Sequence, residues 1–292
     1  MAVIYNTQYV DEKYSAIIEP NLYYDSVLIP GVTFDNRYEE QAGGIFIHKL
    51  GTAGIIAPTT PGSDFSNVVV ADTLIQAVFN NNFKRSRKVY GVTASAVAYN
   101  KAEAELAEAL AEVKAGWMIS GLACLADEGT NASDTTALTI SNIEAKYLLG
   151  RETLRKASAK PDFCLASPAV YTCILQVAGD NFRPVANEAI IGQASVGNWF
   201  GVNVLEANGL GHVGMVSYYN YAGSLISFNL THVDYIMGDH RAFSVLNNFE
   251  VFRVIDSELF AGSLAQVEFN TAYRVTNASS IFVKFNADPH TV

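Results

Sequence analysis

Charge is scarce in this chain. Only 16% of its 292 residues are Asp, Glu, Lys or Arg, against roughly 25% in ordinary soluble domains. The deficit fits a chain that hides its outer surface against other copies, and it fits a large buried core equally well. Positive charge is scarcer still, with 19 Lys and Arg against 29 Asp and Glu and a net charge of −10. That balance argues against broad electrostatic attachment to nucleic acid, which needs clustered cations, and leaves room only for a local basic patch. Cysteine is nearly absent. Cys124, Cys164 and Cys173 form an odd set without metal-ligand spacing, which implies a reducing compartment rather than a disulfide framework. The stretch MAVIYNTQYVDEKYS lacks the basic start and apolar run of a signal peptide. No uninterrupted apolar run approaches the ~20 residues of a membrane helix. These absences lead us to expect a soluble chain made inside the cell.

Residues 1–40 are rich in Tyr and Asn, carry Pro20 and Pro30, and show weak periodicity; they read as an extended arm that needs a surface to lie on. Residues 41–92 hold short apolar runs broken by Gly43-Gly44, Gly51, Gly54 and the Pro58–Gly62 segment, the pattern of a long hairpin with a loose tip. The segment FKRSRKV then concentrates Lys84, Arg85, Arg87 and Lys88. Such a cluster is either a solvated strand face or a contact with acidic neighbours or polyanion.

The clearest helix is NKAEAELAEALAEVKAGWMISGLACLAD, residues 100–127. Asn100 and Glu103 have capping-box spacing. Leu106, Leu110, Val113, Trp117 and Cys124 fall on one face, and Lys101, Glu105, Glu108 and Glu112 on another. At 1.5 Å per residue such a helix is roughly 40 Å long, the size of a structural spine. A second helix is expected to open at Ser141, with Glu144 completing a capping box and Ile143, Tyr147, Leu154 and Ala157 along its stripe. Pro161 stops it. FCLA reads as a buried strand. Ser167 caps a third helix with Pro168 at its first position, Val170, Ile174 and Val177 face inward, and Gly179 ends it. From residue 200 onward strands dominate: VNVLEA, VGMVSYYNY, SLISFNL, HVDYIM, FEVFRVI, AQVEFNTAYRV and SSIFVKF. Many of them alternate apolar and polar residues, as half-buried strands do. The fold class is α+β, with no linker dividing it.

Motifs for chemistry fail on spacing or context. In GQASVG two residues separate Gly192 from Ser195, whereas a nucleophile elbow has one. Gly209, Gly211 and Gly214 spell G-x-G-x-x-G with Asp234 downstream, yet a strand-like run follows where a dinucleotide site needs a helix. His232, Asp234, Asp239 and His240 in THVDYIMGDH lack convergent ligand spacing, and His48, His212 and His290 are scattered. No catalytic residue, metal ligand or cofactor is predicted.

Two segments carry a resemblance. FCLASPAVYTCILQ, residues 163–176, is a strand, a Ser-Pro step and a helix; IIGQASVGNWFGVNVLEANGL, residues 190–210, places Gly192, Gly197, Gly201 and Val204 in a spaced glycine element, with Val196 where Ile is common. In both, and in the order of its elements, the chain resembles the major capsid proteins of tailed bacteriophages, the Hong Kong 97-like fold. The resemblance implies an N-terminal arm over 1–40, an extended β-hairpin loop over 41–92, the spine helix of a peripheral domain over 93–136, an axial domain over 137–235 and return strands over 236–292. It implies a non-enzymatic protein that self-assembles into hexamers and pentamers of an icosahedral shell enclosing double-stranded DNA. The DNA is held by proximity, without sequence specificity. Further partners implied are a separate scaffolding protein, portal and decoration proteins, with no membrane; the location implied is the virion capsid, assembled in host cytoplasm. Lys49 lies where some members crosslink, but no Asn partner is identifiable and crosslinking is not predicted.

On this reading the glycine-rich segment is wall rather than site. Candidate inter-subunit contacts are Lys84, Arg85, Arg87, Lys88, Trp199 and Phe200, with packing inside the chain as the plain alternative for the last two. The rival readings are an encapsulin-like nanocompartment shell filled with enzyme cargo, another virion part such as a decoration or tail protein, and an enzyme using the glycine-rich segment.

Overall fold

The computed structural model describes residues 27–35, 44–50, 72–91, 94, 101–132, 134–178, 183–184, 196–257 and 259–290. Asn100, Lys49's side chain, Gly179, Ser195 and most of the arm lie outside the described residues or side chains.

The long helix, α1, spans Lys101–Asp127. It changes environment along its length. In its first half Ala109 and Val113 are buried against Val267 and Phe269, with Leu106 and Leu110 packed alongside. In its last two turns burial ceases to be one-sided: Met118 and the run Ser120–Ala126 are all buried. The sequence stripe thus found Val113 and Cys124 but missed Leu122 and Leu125, which lie in the main core with no exposure. On length and composition α1 is apolar enough to cross a membrane; here that composition serves a helix sunk into its own protein.

What it sinks into is a sheet of seven strands. These are β4 (Thr130–Asn131), β5 (Phe163–Ala166), β6 (Arg183–Pro184), β7 (Val196–Trp199), β8 (Val202–Glu206), β11 (Val233–Gly238) and β14 (Ile281–Phe285), ordered β4-β14-β11-β5-β8-β7-β6. The pairs β5–β8 and β14–β4 are parallel and the rest antiparallel. Successive side chains on a strand point to opposite faces, and here both faces are covered. Phe163, Leu165, Leu205, Ile236 and Val283 join the core that holds α1. Cys164, Ala166, Val204, Tyr235, Met237 and Phe282 join a second core beneath α2 (Ile143–Lys156) and α3 (Pro168–Ala178). Double coverage explains why FCLA is apolar at every position.

The helix starts divide. Ser167 caps α3 as expected, its Oγ 3.5 Å from the Val170 N–H. The Ser141–Glu144 capping box does not form. The N-cap residue is Asn142, and its side chain turns back, accepting from the Thr139 N–H at 2.8 Å and donating to the Ala137 carbonyl at 3.1 Å. Ser141 pairs with the Thr139 hydroxyl instead.

Three smaller sheets complete the described residues. β1 (Gly44–Leu50) and β2 (Asp72–Val78) form an antiparallel hairpin, and its tip, residues 51–71, lies outside the described residues. β9 (Met215–Tyr219) and β10 (Leu225–Asn229) form another; β9 is the strand that follows the G-x-G-x-x-G run. The third sheet sets β3 (Asn81–Tyr90) on the edge of two fourteen-residue strands, β12 (Phe243–Asp256) and β13 (Gly262–Val275), in the order β12-β13-β3. Residues 27–35 of the expected arm lie on this chain's own core, with Val27, Leu28 and Phe34 buried in the main cluster.

Candidate functional site

The basic cluster sits on edge strand β3, and strand periodicity splits it in two. Odd-numbered residues of β3 face α1, where Phe83 packs beside Ala109 and Val113. Arg87 reaches the helix with both terminal nitrogens, Nη1 2.8 Å from Glu105 Oε2 and Nη2 2.6 Å from Glu112 Oε1. Arg85 Nε lies 2.5 Å from Glu112 Oε2. Burial alone would lower the Arg87 pKa; the hydrogen bonds to Glu105 and Glu112 outweigh it and raise it. Burial would likewise raise Glu112, and Arg87 and Arg85 together pull it below the ordinary carboxylate value. The acidic helix stripe and the basic strand, separate in sequence, are therefore two halves of one internal contact.

Even-numbered residues face the other way. Lys84 lies directly opposite Glu268 of β13, with which it pairs at 3.6 Å while remaining 68% exposed. Lys88 stands 5.7 Å over the Phe260 ring. Of the four cations, Arg85 and Arg87 are engaged by the helix, and Lys84 and Lys88 stand on the outer face.

Trp199 and Phe200 also part. They lie at the β7–β8 turn, where Trp199 pairs with Val202. Trp199 is 2% exposed, its ring 4.5 Å from that of Tyr147, whose hydroxyl donates to the Trp199 carbonyl at 3.4 Å. Its area is used inside the chain. Phe200 is 42% exposed and has φ +50, followed by Gly201 at +81.

The histidine–aspartate run does not converge as one set. His232 Nδ1 contacts the Asp288 carbonyl at 2.6 Å. Asp234 accepts from Asn286 at 3.0 Å. Asp239 and His240 do meet, joined by Asp162, which the sequence did not single out; one ligand-type atom from each lies within 4.8 Å of the others. Protein donors already occupy these carboxylates: Arg241 grips Asp239 through Nε and Nη2 at 3.0 and 2.7 Å, and His240 contacts both oxygens of Asp162. The group is a pinned turn before β12. Burial raises the Asp162 pKa, against the opposing pull of His240.

No family model and no curated protein sequence matches the chain. Solved structures do. The chain is similar to a structure from Mycobacterium phage Che8, at 14% identity and a TM-score of 0.66, covering 94% of this chain and 96% of that one. It is similar to the capsid structure of cyanophage P-SCSP1u, at 10% identity and a TM-score of 0.68, covering 97% and 94%. It is similar to the mature capsid of bacteriophage PhiM1, at 13% identity and a TM-score of 0.62, covering 94% and 91%. The α+β fold of the chain is the fold of these phage structures, the last two of them capsids.

Proposed function

We propose that this chain is the major capsid protein of a tailed phage, self-assembling into hexamers and pentamers of an icosahedral shell around double-stranded DNA. The observation that carries the reading is likeness from end to end: capsid chains align over nearly all of this chain and nearly all of their own length. An encapsulin-like compartment or a decoration or tail protein gains no comparable support. The chemistry agrees where the motif residues are described: Asp239 and His240 pin a turn, His232 and Asp234 bond within the chain, and the G-x-G-x-x-G run leads into β9. Low charge content suits a protein that covers itself with copies of itself, many modest contacts summing over a closed symmetric assembly.

Within this reading β1–β2 belongs to the extended loop, α1 is the spine, and the seven-stranded sheet with α2 and α3 forms most of the axial domain. Lys84, Lys88 and Phe200, with Arg85 beside its bond to Glu112, are the predicted contact residues with surface left for a neighbour; Arg87 and Trp199 support them from inside. Scaffolding, portal and decoration proteins are proposed as further partners, DNA as the enclosed cargo, and host cytoplasm as the place of assembly.

The test is expression of the chain alone, followed by negative-stain electron microscopy and light scattering. Rings or closed shells of uniform diameter are the expected result. A monomer that stays inert when mixed with the other structural proteins of the same virus overturns the reading.

A further inference from the structure

The outer face of the β12-β13-β3 sheet collects cations from strands far apart in sequence. On β3 that face carries Lys84, Ser86 and Lys88. The register sets Lys84 against Glu268, Ser86 against Gln266 and Lys88 against Leu264. One strand further, Glu268 stands against Val251, Gln266 against Arg253 and Leu264 against Ile255. Arg253 therefore shares the face with Lys84 and Lys88, about 10 Å across the sheet from Ser86. Arg253 is exposed, and its Nε donates to Gln266 Oε1 at 2.9 Å. A shallow hollow of about 450 Å³ lies here, lined by Lys84, Ser86, Val251, Arg253, Gln266 and Glu268 among others.

Three cations thus frame one carboxylate among the described residues of this face, in a chain whose net charge is −10. Around them lie Val251 and Ile255, which flank Arg253 on β12, and Leu264 beside Lys88, each only partly exposed. A solvated strand face has no use for three aliphatic side chains, whereas a contact surface does, because apolar cover around an ion pair displaces water and lowers screening. From this we infer that the Lys84–Lys88–Arg253 face docks an acidic surface of a second copy of this chain. The inference rests on the shell reading and names a contact within it. Charge complementarity selects the partner, since every copy presents an excess of carboxylates to a locally cationic face. Packaged nucleic acid fits less well: phosphate binding relies on clustered cations, and here Glu268 pairs with Lys84 and aliphatic residues flank Arg253.

The experiment compares the full wild-type chain with the triple variant Lys84→Glu, Lys88→Glu, Arg253→Glu, using circular dichroism to check folding and light scattering and electron microscopy to read assembly. The expected result is a folded variant whose assembled fraction drops about tenfold, beside a wild type whose assembly weakens between about 50 mM and about 500 mM salt. If the variant misfolds, Lys84→Gln, Lys88→Gln, Arg253→Gln replaces it, keeping the stems and removing the charge. Either folded variant assembling like wild type overturns the inference and leaves the shell reading standing. So does normal assembly with loss of co-purifying nucleic acid, which assigns the face to polyanion. A wild type that forms no oligomer, alone or with its virus's other structural proteins, overturns both.

Discussion

Arg87 and Glu112 meet across the boundary between β3 and α1 at 2.6 Å. The same guanidinium reaches Glu105 one helix face-repeat earlier, and all three side chains are about a quarter exposed. The fork clamps an edge strand to the spine helix beside the apolar contact that Phe83 makes with Ala109 and Val113. Replacing Arg87 with Met keeps the stem and takes this cation from both Glu105 and Glu112. The expected loss is about 1–2 kcal/mol, read as a lower urea midpoint at unchanged slope. The pH dependence has a definite sign. A carboxylate held below its ordinary value contributes stability above its unfolded pKa of 4.5 and loses it as pH falls through the folded one. The gap between wild type and Arg87→Met therefore closes in acid; a gap that persists unchanged there rules out the ion pair as its source.

Glu128 carries the opposite sign. It follows the last residue of α1, mostly buried, and accepts from the Val275 N–H at 3.1 Å, with Arg274 at 3.5 Å. Burial raises its pKa from 4.5 to about 6, against the pull of these partners. A raised carboxylate binds its proton more tightly folded than unfolded. Stability is thus greatest below pH 4.5, declines through 6, and above that carries the full cost, about 2 kcal/mol. Glu128→Gln keeps the acceptor and removes the charge. It is expected to raise stability by about 1–2 kcal/mol near pH 8 and by little near pH 4. Denaturant titrations at those two values decide it, and equal gains at both would disprove the assignment.

Lys284 is 2% exposed. Its ammonium donates to the carbonyls of Asp134, Thr136 and Phe285 at 2.7, 2.8 and 2.8 Å, tying the loop before α2 to β14. Lys284→Met fills the same space and leaves three acceptors without that donor. We expect a loss of about 2–3 kcal/mol, seen as a lower thermal midpoint. A melting curve indistinguishable from wild type would mean that water replaces the ammonium freely.

That lysine also marks where reading the sequence stops. Half-buried alternation implies one wet face for a strand such as SSIFVKF, yet both faces of the seven-stranded sheet are covered and β14 is buried throughout. Periodicity reports which residues share a face; it does not report whether the far face is dry, because a second layer comes from distant chain. The same limit hid Leu122 and Leu125, since one-sided stripes describe a helix on a surface and not one passing into a core. Local signals fared better. The long α1, the Ser-Pro start of α3 and the strands after residue 200 were legible because caps, proline and alternation act within a few residues. At the candidate site, Lys84, Arg85, Arg87 and Lys88 were legible as a cluster, and their division was not. It required knowing that Glu105 and Glu112 lie across from the strand and that Arg253 lies two strands away.

Phe200 turns a corner better suited to asparagine. A two-residue hairpin of type I′ needs positive φ at both central positions, which Asn-Gly supplies most readily. This turn has Phe200 at φ +50 and Gly201 at +81, so a bulky side chain bears left-handed strain of about 1 kcal/mol. The ring recovers part of that against Trp199, 5.1 Å away, and leaves the rest of its surface open. Two truncations separate strain from packing. Phe200→Ala loses the ring and keeps a side chain ill suited to positive φ, whereas Phe200→Asn loses the ring and accepts the turn. Phe200→Asn is expected to be more stable than Phe200→Ala by about 0.5–1 kcal/mol, measured by thermal unfolding of the unassembled chain. Assembly then isolates the role of the aromatic surface. If Phe200→Asn folds as well as wild type yet assembles poorly, the ring is held at a strained tip for a neighbour's benefit. If it assembles normally, the exposed face of Phe200 serves only its own hairpin and leaves the set of subunit contacts.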